Sequence, residues 1–251
     1  MLKAEKIFFS YSGEPVLQGA DISAIPGKVT GLIGPNGSGK STLLKCMAGI
    51  LKPLSGKVFF RQKNISEIKR KKLAGFISYF AQENSFSGVF TVFETVLLGR
   101  CPLIGWSPGK KDLEAVEKTI AVMGLEGSEE KNINELSGGE KQKVFIAQSL
   151  VREPEVLLLD EPANSLDIKH QLDVFRLVVK TAAQQKTAVV AAVHDINMAS
   201  KFSDTITLLE EGKTVRSGTP VEVICQETIS RVYDVGVKVS IEENVPYIRY
   251  C

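Results

Sequence analysis

Two hydrophobic rhythms alternate along this chain. Short runs rich in Phe, Ile and Val beside turn residues, Ala4 to Ser10 and Lys57 to Phe60, predict strands. Val29 to Ile33 is a third and ends in a glycine cluster. After Gly39 the spacing changes. Leu43, Leu44, Met47 and Ala48 recur at helical intervals until Gly49 stops them, so strand, glycine loop and helix form the first unit. Phe76 to Phe80 predicts another strand. Val156 to Leu159 and Thr187 to Val193 are near-continuous aliphatic runs, as expected of parallel strands covered on both faces.

Between those strands the character differs. Leu113, Val116, Ile120 and Met123 share one helical face, with Glu114, Glu117 and Lys118 elsewhere, and Lys141 to Val151 repeats the theme with Val144, Ala147 and Val151. Thr205 to Leu209 and Thr214 to Ser217 then return to strand, followed by Gly218-Thr219-Pro220. The expected layout is one domain, 1–251. An α/β core spans 1–82 and 152–220, a helical subdomain is inserted at 83–151, and a short-stranded extension closes the chain at 221–251.

Composition narrows the chemistry. With 31 Lys+Arg against 29 Asp+Glu the net charge is +2, which lacks the basic excess of a nucleic-acid binder. The longest apolar run, Ala188 to Val193, is far short of the roughly 20 residues that span a bilayer. The first residues, Met1 to Lys6, lack the basic-then-apolar order of a secretory signal, so an intracellular location is expected. Cys46, Cys101, Cys225 and Cys251 are scattered without a Cys-x-x-Cys pair, which points to incidental thiols rather than a zinc site or disulfide framework.

Three motifs carry chemistry. Gly34-Pro35-Asn36-Gly37-Ser38-Gly39-Lys40-Ser41, followed by Thr42, fits a phosphate-cradling loop between a strand and a helix. Backbone N–H groups would face a polyphosphate, Lys40 would reach its terminal phosphates and Ser41 would ligate Mg²⁺. A glycine turn with a solvated lysine is the competing reading. In the second motif, Val156 to Leu159 deliver Asp160 and Glu161 to a strand's C-terminal edge, where open α/β sheets bind ligands. Asp160 would hold Mg²⁺ and Glu161 would take a proton from attacking water, against the alternative of a plain helix-capping pair. The third, Leu136-Ser137-Gly138-Gly139-Glu140, stands just before a helix and could sense a phosphate bound elsewhere; a capped helix start is the alternative.

In this order and spacing the three motifs resemble the ATP-binding subunits of ABC transporters over nearly the whole chain, and the stretch Thr91 to Arg100 with Pro102 to Trp106 resembles those of importers for iron–siderophore complexes, haem and cobalamin. A zinc or manganese importer is the nearest other reading. The resemblance implies a P-loop NTPase (RecA-like) core with a mixed sheet, an N-terminal antiparallel β subdomain and an inserted α-helical subdomain. It further implies ATP and Mg²⁺ as ligands, with Tyr11 stacking on adenine, Gln82 at the metal and water, and His194 as the switch histidine. Asp167 would close the loop Asn164-Ser165-Leu166-Asp167 near the nucleotide. Two copies would face head to tail, each ATP lying between Lys40 of one and Ser137, Gly138 and Gly139 of the other.

Permease subunits would receive the motion on the cytoplasmic side of the membrane, and an extracytoplasmic binding protein would act indirectly. Phe86, Val89, Phe90 and Val92 form an apolar stretch expected either to dock on such a partner or to enter the subdomain core. His170 has no comparable setting and is expected on a solvated helix face. Ala163, Gln148, Lys141 and Lys143 depart from the family's commonest residues without removing a catalytic group. A DNA-repair ATPase would insert long heptad arms between cradle and signature, and none are present.

Overall fold

Val156 to Asp160 are all buried because this strand is covered on both sides: Val156 and Leu158 enter one hydrophobic core, Leu157 and Leu159 the other. The computed structural model describes residues 1–81, 88–164 and 166–251. In chain order the strands and helices begin with β1 (Leu2–Tyr11), β2 (Glu14–Ala24), β3 (Val29–Ile33), α1 (Lys40–Met47), β4 (Ser55–Phe60), β5 (Lys63–Asn64), α2 (Arg70–Phe76) and β6 (Ile77–Phe80). The helical stretch holds α3 (Val92–Leu98), α4 (Lys110–Val122) and α5 (Gly138–Leu150). Then follow β7 (Val156–Asp160), α6 (Ile168–Gln185), β8 (Ala188–Ala192), α7 (Ile196–Phe202), β9 (Thr205–Glu210) and β10 (Lys213–Gly218). The chain closes with α8 (Pro220–Val223), α9 (Gln226–Tyr233), β11 (Val237–Glu242) and β12 (Val245–Tyr250).

Among the described residues the central sheet is six-stranded, ordered β10-β9-β3-β8-β7-β6, and beside it lies a four-stranded sheet β2-β1-β4-β5. Strands β6, β7, β8, β3 and β9 pair in parallel, and β10 joins antiparallel, so the sheet is mixed. The smaller sheet is antiparallel throughout. This is the P-loop NTPase architecture with an N-terminal antiparallel β subdomain and an inserted helical subdomain. Parallel order brings the C-terminal ends of β3, β6, β7 and β8 to one edge, where the ligand crevice of such sheets forms.

Hydrophobic periodicity matches the elements best where packing is regular and departs from them at their ends. Phe76 closes α2 instead of opening β6, and its ring stacks on Phe60 at 5.3 Å. Helix α5 begins at Gly138, not after the signature motif, because Ser137 and Glu140 form a reciprocal capping box that starts the helix inside it. Strand β2 escapes a strict period of two because its pairing with β1 slips register, so Leu17, Ala20, Ile22 and Ala24 all reach the core. The apolar stretch expected after residue 83 divides: Val92 opens α3 and is fully buried, while Val89 is 87% exposed. Phe86 lies outside the described residues. The closing residues share the main core through Val223, Ile229, Val232, Val237 and Ile248.

Candidate functional site

The phosphate loop occupies the turn between β3 and α1, and its shape depends on close approach. A Cβ at Gly34 would lie 2.1 Å from the Leu209 carbonyl oxygen, so no other residue fits there unless β9 retreats. The loop is braced from the same side, since the Gly212 amide donates to the Ser38 carbonyl at 3.1 Å. Lys40 is 5% exposed and folds back onto its own loop, donating from Nζ to the carbonyls of Gly34 at 2.8 Å and Pro35 at 3.0 Å. Burial lowers its ammonium's pKa, an effect opposed by the nearby carboxylates of Glu161 and Asp160. Asn36 and Gly37 face solvent at the mouth of the loop.

Whether this loop fits a polyphosphate can be tested on unpaired donors. Ser38 Oγ is buried and has no hydrogen-bond partner, and the first-turn N–H groups of α1 at Lys40, Ser41 and Thr42 have no intrahelical acceptor. A buried hydroxyl left without a partner costs about 1–3 kcal/mol, so the loop is poised for an anion with several oxygens.

Behind the loop, β7 presents the carboxylates. Asp160 is 2% exposed; Ser41 Oγ donates to its Oδ1 at 2.9 Å and the Tyr79 hydroxyl to its Oδ2 at 2.8 Å. Among the described residues no three His, Cys, Asp or Glu side chains converge to cage a metal. Ser41 and Asp160 instead offer two hard oxygens, the donor set suited to an Mg²⁺ that completes its shell with phosphate and water. Glu161, 8% exposed, directly follows the strand with φ of 53°, a left-handed conformation that costs a non-glycine residue about 1–3 kcal/mol. Its Oε2 accepts from Asn164 Nδ2 at 3.0 Å, and its Oε1 pairs with His194 Nε2. His194 follows β8, which lies beside β7 with Ala192 opposite Asp160. Glu161 and His194 line one small cavity with Asn164, Gln171 and Phe175.

Tyr11 ends β1 with 46% of its surface exposed, its ring edge-on to Phe9 at 4.8 Å, so a flat face is available to solvent. The signature turn is accessible at Ser137 and Gly138, whereas Gly139 is buried. Ser137 Oγ donates to Glu140 Oε2 at 2.6 Å, and this contact, with the Ser137 amide donating at 2.9 Å, holds the Glu140 carboxyl below its usual range. Asp167 serves as the N-cap of α6, accepting from the His170 amide at 2.9 Å. Gln82 and Ser165 lie outside the described residues.

Three residues at the site had no motif to announce them. Tyr79 sits in the middle of an ordinary apolar strand, and only the β6–β7 pairing, with Tyr79 opposite Leu158, brings it to Asp160. Tyr233, from α9, buries its hydroxyl beside the Gly34 backbone; burial raises its pKa, and the Gly34 amide acts against that rise. His170, expected in solvent, turns its ring onto Gly139: a Cβ there would lie 2.4 Å from His170 Cδ2. The thiols behave as expected, with Cys46 buried and pushed up to about 12 by that burial.

Comparison with known proteins places this geometry. The ABC transporter family matches the chain over residues 17–164. The petrobactin import ATP-binding protein FpuC of Bacillus anthracis is 36% identical over 241 residues, covering 95% of this chain and 89% of that protein. The hemin import ATP-binding protein HmuV of Rhizobium meliloti is 35% identical over 258 residues, covering 99% of this chain and 97% of its own. Among solved structures, the dimeric post-hydrolysis state of the ATP-binding cassette MJ0796, bound to ADP and Pi, is similar with a TM-score of 0.75 and 27% identity, over 87% of this chain and 98% of that one.

Proposed function

The chain belongs to the ABC transporter family as an ATP-hydrolysing subunit, and from that membership we propose that two copies clamp ATP head to tail and drive an importer for iron–siderophore, haem or cobalamin cargo. One observation carries the clamp. Each chain holds a complete phosphate loop and, on a separate helix start, an exposed Ser137 and Gly138 whose neighbouring carboxylate, Glu140, is taken up in the capping box of its own helix. Such a turn can read a phosphate only if another surface supplies it, and a second copy does.

In this reading Tyr11 stacks on adenine, and the loop from Gly34 to Thr42 wraps the phosphates. Lys40 exchanges its two loop carbonyls for phosphate oxygens, and Ser41 with Asp160 holds Mg²⁺. When bound, that ion neutralises charge on the terminal phosphates. Glu161 takes the proton of the attacking water, and His194 holds the Glu161 carboxylate in place from the neighbouring strand. Gln82 is assigned to the metal and the water by the family resemblance alone, as Asp167 is to the nucleotide's surroundings.

Closure is favoured because the signature turn meets the terminal phosphate only in the closed pair, and hydrolysis removes that differential contact. No described helix is long and apolar enough to cross a membrane, so the motion must pass to separate permease subunits, with the chain bound peripherally at the membrane's cytoplasmic side. Val89 and Trp106, the latter fully exposed, place apolar surface where such a partner would gain from burying it. The cargo reading rests on relatives named for petrobactin and hemin import.

The clamp is tested by sedimentation of the Glu161→Gln chain with ATP and Mg²⁺ and, separately, with ADP. A dimer with ATP and a monomer with ADP is the expected result; a profile indifferent to nucleotide overturns it.

A further inference from the structure

We propose that His170 is a positioning residue that sets the signature turn at the height from which it meets the partner copy's nucleotide; this rests on the shared-site reading above. Ser137 and Gly138 are exposed, yet Gly139 beside them is buried, and His170 from α6 lies against it. A Cβ at Gly139 would stand 2.4 Å from Cδ2, 2.7 Å from Cγ and 3.0 Å from Nε2, all atoms of that imidazole. The ring is thus in direct contact with the Gly139 backbone, and only a residue without a side chain admits it.

The ring is not free to drift. Nδ1 is 2.8 Å from Asp167 Oδ1, the same oxygen that accepts the His170 backbone N–H at 2.9 Å, so helix cap and side-chain orientation are fixed by one carboxylate. With a carboxylate at Nδ1, that nitrogen carries the proton, and the Cδ2 edge of the ring faces Gly139. A second tie lies one turn along α5, where Gln142 Nε2 donates to the Pro162 carbonyl at 2.5 Å, next to Glu161. The start of α5 therefore rests at two points on residues 161–170.

The consequence concerns two nucleotides at once. Glu161 serves the chain's own triphosphate, while Ser137 serves the other copy's. His170 and Gln142 join these parts within one chain, so a shift at one pocket is carried to the other through contacts of fixed geometry.

The test uses the full chain in the slowly hydrolysing Glu161→Gln background. His170→Ala should leave ATP affinity at low protein concentration unchanged by calorimetry while raising the concentration for ATP-dependent dimerisation about tenfold, within the usual range of coupling between sites. His170→Phe, which keeps a flat ring over Gly139, should recover most of that loss. Gly139→Ala should also weaken dimerisation, and combining it with His170→Ala should cost less than the two losses added.

Dimerisation of His170→Ala equal to the parent's would overturn the proposal while leaving the shared site standing. Loss of ATP affinity at low protein concentration, loss of folding in both His170 variants, or strict additivity with Gly139→Ala would also overturn it, because each assigns His170 to general stability. A parent chain that never dimerises with ATP removes the shared site itself, and this inference with it.

Discussion

Tyr79 donates its hydroxyl to Asp160 at 2.8 Å, on the carboxylate oxygen that Ser41 does not use. Burial and the adjacent Asp160 raise the phenol's pKa, so it remains a protonated donor across the working pH range. Asp160 is thereby pinned by both oxygens, which fixes the plane it presents to the Mg²⁺ proposed to lie between it and Ser41. Tyr79→Phe leaves a nearly inaccessible carboxylate oxygen without this donor. Stability should fall by about 1.5–3 kcal/mol, the worth of a hydrogen bond to a charged group, and more Mg²⁺ should be needed for half-maximal hydrolysis. Urea unfolding and a Mg²⁺ titration check both; unchanged curves would refute the pinning role.

Glu161→Gln keeps the shape of the site but removes the carboxylate proposed to accept the proton. ATP should still bind, and turnover should slow by roughly 10²–10⁴, the usual contribution of a positioned general base. Near-normal phosphate release from this variant would reassign the base.

Lys40 is the buried cation of the phosphate loop, and its two carbonyl partners cannot replace it toward an anion. Lys40→Ala should weaken ATP binding strongly, measured by calorimetry. Equal affinity in wild type and variant would mean that the loop's backbone amides suffice.

Asn197 joins the closing hairpin to α7, the helix that follows His194. The Ile248 amide donates to its Oδ1 at 2.7 Å, its own Nδ2 donates to the Ile248 carbonyl at 3.2 Å, and Ser200 Oγ donates to the Pro246 carbonyl at 2.6 Å. Asn197→Ala should destabilise the chain by about 1–3 kcal/mol, because Ile248 loses both backbone partners. It should also speed hydrogen exchange at the Ile248 amide. Exchange as slow as in the parent would show that β12 is held by other contacts.

What could be read from the residues follows how local each signal is. The strands Val29–Ile33 and Val156–Asp160 and the helix after Gly39 are legible because each is bounded by its own glycines or carboxylates, and each core face has its own apolar run. Helix α6 was less legible. Its buried stripe, Val174, Phe175, Val178, Thr181 and Ala182, is diluted by a threonine and an alanine, although Asp167 marks its start. The capping box that draws Gly138 and Gly139 into α5 was visible as Ser137 and Glu140 three positions apart, and it decides that the signature turn is helical from its first glycine.

The order of residues by itself determined the nucleotide chemistry: a cradle, two carboxylates and a signature turn, each a short segment whose backbone geometry depends on its neighbours in the chain. Only the tertiary structure decided which side chains from distant segments serve them. Tyr79 on Asp160, Tyr233 beside Gly34 and His170 on Gly139 arise from strand order and helix placement. A lone tyrosine or histidine acquires such a role from the surface it is packed against, and that surface is set by contacts far apart in the chain.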